Sequence, residues 1–83
     1  MRASPKSTIV VYTQKGASYV CPDKEIKKPN SSYVYVPTRG FSGSLTVFNK
    51  SNRCVGWIDT RSLGFPNAKA WMAAHPEWKE LDY

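Results

Sequence analysis

The chain has 83 residues, with 12 Lys plus Arg against 6 Asp plus Glu and a net charge of +6. That leaves room for one core and not two, and a chain this short buries only about 60–65% of the surface its unfolded form exposes. Hydrophobic residues make up 41% and aromatics 13%, too apolar for a disordered tail, while apolar runs such as Ile9-Val10-Val11-Tyr12 fall far short of the ~18 residues of a transmembrane helix.

Residues 1–6 read as a flexible basic arm, and residues 7–83 as a single β-rich domain. The arm leads into too few apolar residues for a secretory signal and lacks a small-residue cleavage site, which predicts a cytoplasmic protein. Ser7–Thr13 is β-branched and aromatic, a strand by composition. Gln14-Lys15-Gly16-Ala17 is a turn, and Ser18–Cys21 a short second strand stopped by Pro22. Residues 22–31 carry two prolines and five charges and read as a loop. Ser32–Val36 alternates aromatic with valine and is a third strand ending at Pro37. Thr38–Gly43, with two glycines, reads as a turn. Ser44–Phe48 and Cys54–Asp59 are strands four and five, joined by the polar link Asn49–Arg53 as a hairpin.

After Asp59 the pattern changes. Asn67–Ala74 is alanine-rich with good helix propensity, and a helix is expected over about 67–75. Asn67 suits its N-cap, and Pro76 disfavours helical geometry at His75. Trp71, Met72, Trp78 and Leu81 are the expected anchors of this segment on the sheet. Strands about ten residues apart followed by one helix predict an α+β, mainly β fold. The expected form is a five-stranded antiparallel SH3-like or OB-like barrel, or a curled sheet, with a C-terminal helix.

Catalysis finds little support in the residues. A catalytic triad needs a histidine beside a nucleophile and an orienting acid, and the one histidine, His75, sits before a proline at a helix break. Asp59, Glu77, Glu80 and Asp82 could form an acid pair, but three of them sit in the helical tail, where solvated charge is ordinary. No site residue is assigned a catalytic or metal-binding role, and no small-molecule cofactor is expected. Zinc wants three or four Cys and His ligands at short spacings, whereas Cys21, Cys54 and His75 are far apart in sequence. Buried free thiols are the plain reading of the two cysteines. A bridge between strands two and five is the alternative, available if those strands are neighbours.

The charge is uneven. Residues 1–58 hold nine bases and two acids, whereas residues 59–83 hold three bases and four acids. If Val34, Val36, Leu45 and Val47 face the core, strand alternation puts Tyr33, Tyr35 and Phe48 on the opposite face. Lys15, Lys24, Lys27, Lys28, Arg39, Lys50 and Arg53, on the surrounding loops, would then rim three rings. Rings flanked by cations hold single-stranded nucleic acid by stacking and phosphate pairing. The competing reading makes the same rings a second buried face under Trp71, Met72 and Trp78, with the lysines merely keeping a small protein in solution.

The stretch Asn52–Leu63, with Gly56-Trp57-Ile58 followed by Leu63, resembles the last strands of bacterial SH3-like domains. The resemblance covers about a dozen residues and implies a small barrel that binds peptides, glycans or other ligands without chemistry. It carries no binding residue across. Altogether the residues predict a non-catalytic, basic binding module. Its expected partner is single-stranded or structured nucleic acid, through the aromatic face and basic loops, and no membrane. The alternative is a protein-interaction module, such as a small phage-type or mobile-element accessory protein that inhibits a host enzyme. In that case the sheet edge or Trp57, Trp71 and Trp78 would supply the anchors.

Overall fold

The computed structural model describes residues 8–77, so the N-terminal arm and the predicted anchors Trp78 and Leu81 lie outside the described residues. Five antiparallel strands, a 3₁₀ turn and one helix follow in order: β1 (Thr8–Tyr12), β2 (Ser18–Pro22), β3 (Val34–Thr38), β4 (Phe41–Phe48), β5 (Cys54–Asp59), the 3₁₀ turn Thr60–Leu63, and α1 (Ala68–Ala74). The α+β, mainly β class is as expected, but the strands do not close into a barrel. They form a two-stranded sheet, β1-β2, and a three-stranded sheet, β3-β4-β5.

Local chemistry explains each turn. Between β1 and β2, Gly16 adopts φ 89°, its N–H donates to the Thr13 carbonyl at 2.9 Å, and the Thr13 N–H donates to the Ala17 carbonyl at 3.0 Å. Between β4 and β5, the Asn49 side-chain oxygen accepts from the N–H groups of Ser51 at 2.9 Å and Arg53 at 3.0 Å. Asn52 turns the chain back with φ 63°, a conformation asparagine tolerates better than most residues. Asn67 caps α1, its side-chain oxygen accepting the Ala70 N–H at 2.8 Å, and the helix stops at His75 as Pro76 requires. Asp59 caps the 3₁₀ turn in the same way, accepting the Arg61 N–H at 2.9 Å.

Both faces of the three-stranded sheet are covered. On one face, Leu45, Val47 and Ile58 pack with Ala68 and Trp71 of α1, and Tyr33 and Tyr35 lie against the same cluster. On the other, the β1-β2 hairpin lies over Phe48. Tyr19 meets that ring edge-on at 4.7 Å between centroids, and a Cys21–Cys54 disulfide ties β2 to β5. Free thiols are therefore the wrong reading of the cysteines: the hairpin brings β2 beside β5, and the pair is bonded. The hairpin is also joined to the end of β3 through a Thr13–Thr38 bridge and an Arg39 N–H that donates to the Tyr12 carbonyl at 2.6 Å.

Several boundaries differ from the sequence reading. β3 runs past Pro37, which pairs with Leu45 just before a bulge. The strand lies at the sheet margin, where a residue without an N–H is tolerated. β4 begins at Phe41, so the turn closes at Gly40, whose φ is 85°. The loop after β2 is not wholly irregular. The Trp57 N–H donates to the Lys24 carbonyl at 2.9 Å, and the Ile26 N–H donates to the Trp57 carbonyl at 2.6 Å, laying Lys24–Ile26 parallel to β5 through a Glu25–Trp57 bridge. This close approach is made at buried Gly56, with φ 150°, where a Cβ would run into the Lys24 carbonyl. Among the described residues, no helix is long and apolar enough to cross a membrane.

Candidate functional site

The register divides the predicted aromatic face. β3 pairs with β4 as Val34 opposite Phe48, Tyr35 opposite Val47 and Val36 opposite Thr46. Residues directly opposite share a face. Tyr33 and Tyr35 therefore lie with Leu45 and Val47 on the helix side, while Val34, Val36 and Phe48 face the hairpin. The two valines and the two β4 residues assigned to one core face sit on opposite sides of the sheet. Phe48 is wholly buried, and Tyr33 and Tyr35 are half-buried. The Tyr35 hydroxyl has a structural use: it accepts the Asn30 N–H at 2.9 Å and donates to the Asn30 carbonyl at 3.2 Å, pinning the loop before β3. The three rings do not form one surface.

All seven predicted cations are exposed and fall on separate turns and one loop. Lys15 and Arg39 occupy the β1-β2 and β3-β4 turns at one end of the molecule, where the Arg39 guanidinium lies beside Gly16. Lys50 and Arg53 occupy the β4-β5 turn, at the opposite end of β4. Lys24, Lys27 and Lys28 follow the loop along β5, with Lys27 3.5 Å from Glu25.

His75 is placed by packing. Its ring stacks on Trp71 at 4.6 Å between centroids and meets Phe65 edge-on, and its Nδ1 lies 2.9 Å from the Trp71 carbonyl. Trp71 itself, at 5% exposure, belongs to the core and not to an interface. Among the described residues, no three His, Cys, Asp or Glu side chains come together as a metal would need. Asp59 and Arg61 pair at 3.0 Å. Hydrogen bonds from the Arg61 side chain and backbone, then its charge, hold the Asp59 carboxyl below its ordinary range, and the same contact raises Arg61.

The open feature of the molecule lies where the hairpin does not fully cover the sheet. The inner face of β1, at Ile9 and Val11, stands over Thr38, Thr46 and Trp57, leaving a mainly apolar cleft of about 280 Å³ with Phe41 and Asp23 at its margin. The Thr38 and Thr46 hydroxyls in its lining bond to each other, so the two buried polar groups are mutually satisfied. The Trp57 indole N–H donates to an Asp23 carboxylate oxygen at 3.3 Å. Phe41 is 56% exposed and also borders a second, more open groove with Gly40, Lys69 and Met72. One ring thus stands between two concave surfaces.

From the sequence, Trp57 is a candidate anchor, whereas Phe41 is passed over because its neighbouring glycines place it in a turn. No protein-family model matches the sequence, and neither the curated proteins nor the solved structures include one similar to it.

Proposed function

We propose that this protein is a non-catalytic binding module that engages another protein through the cleft between the β1-β2 hairpin and the three-stranded sheet. The observation that carries this reading is Phe41. An aromatic ring more than half exposed at the junction of two grooves, beside a half-exposed Trp57, has the composition of an interface hot spot. The cleft has room for one long side chain rather than a drug-sized molecule. The SH3-like resemblance of Asn52–Leu63 agrees in kind, since it too implies ligand binding without chemistry. A small phage-type inhibitor of a host enzyme is one protein of this description.

Nucleic-acid binding ranks second. Stacking of successive bases needs rings in series beside a basic track, and here Tyr33 and Tyr35 share one face while Phe48 is buried on the other. The expected cytoplasmic location came from the lack of a secretory signal; the Cys21–Cys54 bridge, which cytosolic reductants would open, favours an oxidising compartment instead.

The test compares wild-type protein with Phe41→Ser, both immobilised and exposed to nuclease-treated extract. A stoichiometric protein retained by the wild type and lost with Phe41→Ser, while circular dichroism stays unchanged, supports the reading. Retention indifferent to Phe41, or no partner at all, counts against it. Tight, steeply salt-dependent binding of labelled oligonucleotide would restore the nucleic-acid reading instead.

A further inference from the structure

The cleft has one charged lining residue, and its sign is opposite to that of the molecule. Asp23 stands at the margin of an otherwise apolar and hydroxyl-lined space in a chain of net charge +6. One of its carboxylate oxygens accepts the Trp57 indole N–H. The other makes no hydrogen bond or ion pair among the described residues. The carboxylate is thus oriented at the cleft with an acceptor to spare.

We infer that the cleft takes an arginine side chain of the bound protein, its alkyl stem against Ile9, Val11 and Phe41 and its guanidinium on Asp23 beside the Trp57 indole. This rests on the protein-interaction reading above and names what that reading leaves open. Three physical requirements point the same way. A long cationic side chain buries its methylenes on apolar surface while its head stays at the rim. A guanidinium pairs with carboxylate and also stacks on aromatic rings, which suits a margin made of Asp23, Trp57 and Phe41 better than a compact ammonium does. Cations beyond a Debye length of about 8 Å are largely screened at physiological salt, and the near one, Lys24, is exposed to solvent, where its repulsion is weakened.

The probes are n-butylguanidinium, which has the stem and the head, and n-butanol, which has the stem alone. Each is titrated into the full chain while the Trp57 indole N–H resonance is followed by NMR, for wild type and Asp23→Asn. Asparagine keeps an oxygen that accepts from the indole, so the cleft survives while the charge is lost. Butylguanidinium binds the wild type and weakens about three- to fivefold in Asp23→Asn, the scale of a solvent-exposed ion pair, whereas butanol is indifferent to the change. If Asp23→Asn does not fold, the wild type answers alone: butylguanidinium affinity falls with added salt and butanol affinity does not. Guanidinium binding that ignores both Asp23→Asn and salt overturns the inference and leaves the cleft standing as an apolar socket. Silence of the Trp57 resonance towards both probes also overturns it, and the Phe41→Ser capture experiment then decides separately whether the cleft is an interface.

Discussion

Reduction of the Cys21–Cys54 bridge should cost the fold about 4 kcal/mol. The two cysteines are 33 residues apart, and constraining a loop of that length lowers the entropy of the unfolded chain by this amount at 25 °C. The whole domain, at 83 residues, is worth only about 4–12 kcal/mol, so the bridge is a large share of the margin. With an unfolding entropy typical of this size, the melting temperature should drop by about 20 °C. Urea and thermal unfolding followed by tryptophan fluorescence, with and without a phosphine reductant, give the comparison, and Cys21→Ala with Cys54→Ala repeats it without reductant. Hydrogen exchange adds a spatial test. Once reduced, the hairpin keeps the Thr13–Thr38 bridge, the Arg39–Tyr12 hydrogen bond and the Tyr19–Phe48 contact, so β1 and β2 should exchange before β4. A drop below about 5 °C, with uniform exchange across all strands, would refute the reasoning, because the hairpin would then be held by packing alone.

Trp71→Ala should cost about 3–5 kcal/mol in urea unfolding, since the ring lies in the core against the sheet and carries the His75 stack; a neutral result would mean that α1 is not docked. Gly56→Ala should destabilise by more than about 1 kcal/mol, because φ 150° disfavours a side chain and its Cβ meets the Lys24 backbone. Equal unfolding midpoints for Gly56→Ala and wild type would remove the Lys24–Ile26 pairing from the fold. Asp59 is a group whose folded pKa is depressed by Arg61, so its stabilising effect is present above the unfolded value and lost as pH falls through the folded one. Carbon-detected NMR titration should show Asp59 titrating below ordinary aspartates, and Arg61→Gln should raise it part of the way back, since the residue 61 N–H still donates to it.

Strand positions were largely legible because they depend on local chemistry. Runs of β-branched and aromatic residues bounded by Gly, Pro and Asn mark β1, β2 and β5 to within a residue or two, and Asn67 with Pro76 brackets α1. Faces were not legible. Which side of the sheet Tyr35 and Phe48 occupy depends on pairing across the β3-β4 turn, and the bulge after Pro37 sets that pairing. Strand alternation within one strand says nothing about register with the next. The split into two sheets was equally hidden, since it rests on contacts between β2 and β5 that no local pattern encodes. The same distance in sequence kept the disulfide an alternative. The cleft followed from this arrangement, so Asp23 read as a loop acid and Phe41 as part of a turn.

The proline inside β3 has a consequence beyond that strand. Outer strands are where one chain can recruit another into an intermolecular ladder, the usual first step of aggregation. On the three-stranded sheet, Lys24–Ile26 occupies the open side of β5, and Pro37 together with the bulge removes a donor and breaks the line of β3. That leaves the β1-β2 hairpin, where Val10, Tyr12 and Val20 are exposed, as the place where copies of this protein would begin to stack on heating. A lysine at Val10 should therefore delay precipitation without moving the unfolding midpoint.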